Sequence, residues 1–138
     1  MHAVALFDTV PEDRLGFGRG AAFEPKRVNE WLDLRKGDVS RLAGVAPASV
    51  RFDDHMPTAV RERLEEIATI CNLVAEAFDG DSIKTALWFK TKNPLLGDVT
   101  PRDMVRLGRY DRLRRFIISA RSAREPARSR PRVKAAGG

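Results

Sequence analysis

The chain holds 138 residues, 43% hydrophobic and 32% charged, which is enough for one compact domain with a real core. A single cysteine excludes an internal disulfide, and no apolar run reaches the ~18 residues a membrane-spanning helix needs. The opening, MHAVALFDTVPEDR, lacks the basic start and long apolar stretch of a secretory signal, so a cytoplasmic protein with no membrane partner is expected.

The formal charge of +6 is unevenly spread. The last eighteen residues, RSAREPARSRPRVKAAGG, carry six basic residues and one acid, which leaves the first 120 at only +1. Residues 121–138 therefore read as a basic disordered tail.

Residues 1–24 show no sustained hydrophobic period and read as a flexible segment. Within them GFGRG (16–20) has neither the preceding strand nor the following helix that a phosphate-binding loop requires. From Pro25 the pattern is helical: Val28, Trp31 and Leu32 share a face, and proline suits a first turn. A second helical signal has Val39, Leu42 and Ala43 on one face and Gly44 as its stop. Pro47 then opens APASVRFDD, whose length predicts two further turns with Val50 inward. Helix, glycine turn and second short helix over 25–56 sketch a helix-turn-helix.

The clearest element is PTAVRERLEEIATICNLVAEAFDG. Val60, Leu64, Ile67, Cys71, Val74 and Phe78 step by 4, 3, 4, 3, 4, one seam of a helix begun near Pro57 and stopped at Gly80. About 22 residues at ~1.5 Å each span roughly 33 Å. Cys71 sits in the seam as a small core residue. Asp81 or Ser82 can cap the next helix, SIKTALWFKTK, whose inner stripe is predicted to be Ile83, Ala86 and Leu87. Trp88 and Phe89 cannot both join that stripe, since helix neighbours point ~100° apart.

In TKNPLLGDVTP (91–101), Pro94 keeps Asn93 from continuing the helix, Leu95 and Leu96 are expected to pin the segment to the domain, and Gly97 supplies a turn. Thr100, Pro101 and Asp103 spell a new helix start. Met104, Val105 and Leu107 follow, and Gly108 stops that helix. A last helix places Tyr110, Leu113, Phe116 and Ile117 inward, with Arg102, Arg106, Arg109, Arg112, Arg114 and Arg115 mostly outward. The fold class is all-α, with units at 1–24, 25–56, 57–120 and 121–138.

The run WFKTKNPLLGDVTPRDMV resembles the toxin-binding domain of the MbcA/ParS/Xre antitoxins. That family has a tryptophan before an Asn-Pro-x-Leu-Gly loop and then a Thr-Pro that opens a short helix. The matching positions are Trp88, Asn93, Pro94, Leu96, Gly97, Thr100 and Pro101, while Asp98 stands in place of the family's second loop glycine. The helix-turn-helix-like part and long helix come in the same order, so the resemblance covers about residues 26–120. It implies a non-enzymatic antitoxin that neutralises a RES-domain toxin, one that degrades NAD or transfers its ADP-ribose to a protein, by covering the toxin's NAD pocket. On this resemblance the toxin-binding residues are Trp88, Asn93, Leu96, Arg102, Arg106, Arg109, Tyr110 and Arg112. The implied partners are the cognate toxin, a second copy of the chain within a hetero-oligomer, and operator DNA through autorepression.

For DNA the candidate contacts are Arg35, Lys36, Arg41, Ser49 and Arg51. Asp53 and Asp54 oppose a phosphate backbone, and the first 56 residues make no net positive field. A helix-turn-helix regulator without a toxin partner is the alternative. Enzymatic chemistry has little to stand on. His2 and His55 lack metal-ligand spacing, and Ser40, Ser49 and Ser82 take helical or capping roles, so no catalytic residue, metal or cofactor is expected.

Overall fold

The computed structural model describes residues 11–124, and among these the regular structure is helical. We number the α-helices α1 (Pro25–Trp31), α2 (Lys36–Ala43), α3 (Thr58–Ala77), α4 (Ser82–Phe89), α5 (Pro101–Arg106) and α6 (Tyr110–Arg124). Short 3-10 turns lie at Gly20–Ala22, Pro47–Ser49 and Pro94–Leu96. The extended backbone is limited, among the described residues, to one antiparallel bridge between Asn93 and Val99.

The long helix α3 is the hub. It contacts α1, α2, α4 and α6, while α5 joins α2 to α4 and α6. The predicted seam is buried at Val60, Leu64, Ile67, Cys71 and Val74, with Phe78 half-buried at the helix end. Ala68, Ile70, Leu73 and Ala75 are buried as well, so the helix is covered on several sides rather than along one stripe. Each large side chain so enclosed stabilises the fold by about 1.5–3 kcal/mol. The chain leaves α3 through two left-handed residues, Asp79 (φ 55°) and Gly80 (φ 82°).

Helix starts follow the chemistry read from the sequence. Pro25 and Pro101 occupy first turns, and Asp81, rather than Ser82, caps α4 by accepting hydrogen bonds from the N–H groups of Ile83 and Lys84. Thr100 accepts from the Asp103 N–H at 2.9 Å. Gly44 closes α2 in the left-handed conformation at φ 69°, where a β-carbon is strained.

Four expectations are corrected. The segment after Pro47 forms a single 3-10 turn and not two helical turns, because the Asp53 carboxylate instead binds the Arg51 guanidinium (2.7 Å) and the His55 N–H (2.9 Å) and folds the chain into bends. Residues 11–24, read as flexible, are packed down, with Phe17 and Phe23 in the core. The Asp13 carboxylate organises them, accepting from the N–H groups of Phe17 (2.9 Å) and Gly18 (2.7 Å) and from the Asn72 amide (3.2 Å). The glycine-rich loop is thus closed around the chain's own carboxylate, and a β-carbon at Gly18 would lie 2.1 Å from the Ala22 carbonyl oxygen. Residues 121–124, expected to belong to the disordered tail, continue α6; the rest of that tail, 125–138, and residues 1–10 lie outside the described residues.

The fourth correction concerns α4. Its inward residues are Thr85 and Phe89, not the stripe of Ile83, Ala86 and Leu87. Thr85 can be buried because its hydroxyl donates to the Asp81 carbonyl at 2.7 Å. Phe89 stacks edge-on against Trp31 (5.5 Å) and Trp88 (5.1 Å), which anchors α4 to α1. Ile83 and Leu87 are left 80% and 64% exposed.

Candidate functional site

The loop between α4 and α5 is built around Asn93. Its side-chain oxygen accepts from the Leu95 N–H at 2.9 Å. Its carbonyl accepts from the N–H groups of Leu96 (2.9 Å) and Asp98 (3.0 Å), and its own N–H donates to Val99 (3.0 Å). Four hydrogen bonds through one residue fix the corner. Gly97 (φ 84°) and Asp98 (φ 63°) then take successive left-handed conformations. Aspartate tolerates that region better than most side chains, so Asp98 holds a backbone shape that glycine would hold without strain.

The two leucines separate. Leu96 is 4% exposed and fastens the loop to the core, whereas Leu95 is 76% exposed and stands outward. Leu95 forms one wall of a groove of about 540 Å³. The other walls are Leu73, Ala77 and Phe78 at the end of α3, Trp88 of α4, and Phe116 with Ala120 of α6. Its acid, Glu76, lies 3.5 Å from the Arg121 guanidinium. The surface is apolar, shaped and held on three helices, with no nucleophile–base pair among its walls. A walled apolar surface of this kind is suited to holding part of another molecule.

The toxin contacts expected from the resemblance fall into four groups. Trp88 and Asn93 border the groove, and Arg109 and Arg112 are exposed. Leu96 and Tyr110 are buried in the core and are not surface contacts. Arg102 and Arg106 are turned inward instead of facing outward, and they tie the C-terminal helices to α1 and α2. Arg102 donates to the carbonyls of Leu32 and Asp33 and lies 3.4 Å from the Asp33 carboxylate. Arg106 reaches Asp38 at 3.3 Å and Asp103 at 3.0 Å, while its own carbonyl accepts from Arg41. Burial raises the Asp38 carboxyl, but the Arg35 N–H, the Arg106 hydrogen bond and charge, and the Arg41 charge outweigh it and hold the group below the usual carboxylate range.

Tyr110 packs its ring under the Arg63 guanidinium, 5.1 Å from ring centre to cation. Its buried hydroxyl has no hydrogen-bond partner. Burial, with the Glu66 charge adding to it, pushes its ionisation far above the ordinary phenol value, so it is a neutral core group. Cys71 is likewise enclosed, and burial pushes its thiol up, which keeps the reactive thiolate from forming.

Among the DNA-contact candidates, Arg35, Lys36 and Ser49 are exposed. Arg41 is engaged with the α5 carbonyl of Arg106 and lies 3.6 Å from Asp38, and Arg51 is held by Asp53. These five do not converge on a recognition helix, because Ser49 ends a three-residue turn and Arg51 lies two residues on, outside any helix.

Two features of the site were missed in the sequence. One is the outward stripe of Ile83 and Leu87; the other is the part of the groove supplied by Phe78 and Phe116. Phe78 ends the seam of α3 and Phe116 belongs to the expected inward stripe of α6, so both read as core. Compared with family models, curated proteins and solved structures, the chain matches none.

Proposed function

We propose that this protein is an antitoxin of the MbcA/ParS/Xre type, which binds a RES-domain NAD-consuming toxin and neutralises it by occluding its active site. The observation that carries the reading is the loop at residues 93–100. Asn93 organises it, Leu96 anchors it, and it holds Leu95 rigidly outward beside an apolar groove. A surface ordered before contact loses little conformational entropy on binding, which suits an inhibitor that must act at low concentration.

Two further observations support the reading. The left-handed backbone at Asp98 is the shape that the family's second loop glycine would supply, so the substitution leaves the loop intact. The exposed apolar residues Ile83, Leu87 and Leu95, with Leu107 at 57% exposure, lie in the C-terminal part to which the resemblance assigns toxin binding.

Co-expression with the product of the adjacent reading frame tests this reading. A stable complex, and growth restored when both proteins are made, are expected. A chain that purifies alone and leaves the neighbour's toxicity unchanged contradicts it.

A further inference from the structure

The groove has a charge environment that narrows what can occupy it. Residues 82–124 contain eleven lysines and arginines against three acids, whereas residues 11–81 contain ten against fourteen. Residues 82–124 thus carry a net +8 and residues 11–81 a net −4, although Arg102 and Arg106 of the first segment already face Asp33 and Asp38 of the second.

Helical spacing places that charge beside the apolar walls. Lys84 lies four residues before Trp88, so the two are neighbours on α4. Arg112, Phe116 and Ala120 form one i, i+4, i+8 strip on α6, which brings Arg112 to the same wall as Phe116. Lys84 and Arg112 are both exposed. On the third wall, Glu76, the one acid that lines the groove among the described residues, already faces Arg121.

We propose that this groove seats an acidic amphipathic segment of a protein partner: large apolar side chains enter between Trp88, Leu95 and Phe116, and flanking carboxylates meet Lys84 and Arg112. If the partner is the toxin, which rests on the function proposed above, this segment is the part of the toxin that the antitoxin grips. The volume of about 540 Å³ lies in the range of pockets that hold a bound group. Ile83 and Leu87 extend the apolar surface along α4 beyond the groove. The recognition is that of a helix or strand laid into an apolar cleft with charges at its rim.

The full chain is titrated with two fluorescein-labelled synthetic peptides that share the same leucine positions, one with glutamate and one with lysine at all other positions. Saturable binding of the glutamate peptide is expected, weakening as salt is added, with the lysine peptide at least about tenfold weaker. Leu95→Asp, and the double variant Lys84→Glu with Arg112→Glu, are each expected to weaken the glutamate peptide by about tenfold or more. All three positions are exposed, and circular dichroism checks that the variants keep their helicity.

Absence of saturable binding, equal binding of both peptides, or variants that bind as well as the parent overturns the proposal. So does sedimentation that shows a dimer which Leu95→Asp converts to monomer, since the groove would then be covered by a second copy. The peptide result is read separately from toxin inhibition. Selective peptide binding with an untouched toxin supports the groove assignment and removes the toxin as its partner. An inhibited toxin without peptide binding removes the groove assignment alone.

Discussion

Arg106 of α5 and Asp38 of α2 meet at 3.3 Å, joining two helices 68 residues apart in the chain. Asp38 is buried and also accepts the Arg35 N–H at 2.8 Å, so one carboxylate caps α2 and docks α5 at once. The candidate binding surface depends on this joint, because α5 carries the loop on one side and α6 on the other.

Removing the carboxylate should therefore destabilise the whole fold. Asp38→Ala leaves the α2 start uncapped and the Arg106 guanidinium short of its partner, at a loss of about 2–3 kcal/mol. Urea unfolding followed at 222 nm measures it. An unchanged midpoint would show that the joint contributes nothing.

The same carboxylate gives a pH dependence. Asp13 and Asp38 are each raised by burial, but hydrogen bonds and nearby arginine charges outweigh burial and leave both below the ordinary value. A depressed folded pKa means that the stabilisation is fully present above the unfolded pKa of about 3.9 and is lost as pH falls below it. The urea midpoint should thus be insensitive to these groups from about pH 5 to 7 and drop below about pH 4. Asp13→Asn combined with Asp38→Asn should lower the midpoint at pH 7 and flatten the acid limb; an acid limb of undiminished steepness would assign the effect to other carboxylates.

The adjacent leucines separate binding from folding. Leu96→Asp buries a charge and should cost about 3 kcal/mol or more, whereas Leu95→Asp should change stability by no more than about 0.5 kcal/mol. Partner binding should be lost in both, but only the first should show a shifted thermal transition. If Leu95→Asp destabilised as much as Leu96→Asp, the loop would not hold Leu95 in solvent.

Loop shape can be tested at Asp98. Glycine adopts φ 63° freely, so Asp98→Gly should be neutral or gain up to about 1 kcal/mol, while the β-branched Asp98→Val should lose about 1–2 kcal/mol. Equal stabilities for the two variants, measured by urea titration, would place residue 98 outside the left-handed region.

Tyr110→Phe removes a buried hydroxyl that has no partner and should be neutral or stabilising by up to about 1 kcal/mol. A loss above ~1 kcal/mol in the same urea experiment would mean that the hydroxyl is paired in solution.

Much of this architecture was legible in the residues. The seam of α3 is long, and a stripe repeated over five turns leaves little ambiguity about its inward face. The proline and threonine helix starts and the glycine stops act locally, so they too could be read without the fold. What was not legible depended on neighbours. In α4, eight residues offered Ile83 and Leu87 as one face and Phe89 as another, and the choice fell to the aromatic contact of Phe89 with Trp31 and to the self-satisfied hydroxyl of Thr85. The anchoring of residues 11–24 depends on Asp13 finding Asn72, 59 positions away, and no local pattern announces such a bond. Arg102 and Arg106 looked like solvated charges because their acceptors, the Leu32 and Asp33 carbonyls and Asp38, come from the other end of the chain. Between Leu95 and Leu96 hydrophobicity alone offered no distinction; the Asn93 hydrogen bonds decide which one turns inward.

In the proposed function, the C-terminal helices and their loop occlude another protein's NAD site. The most direct test is the rate of NAD consumption by the purified cognate RES-domain toxin, in the presence of increasing full-length protein. The rate should fall toward zero at saturation, and Leu95→Asp, folded as the parent, should restore it. A toxin that keeps its full rate at saturating protein would show that these helices do not cover its NAD site.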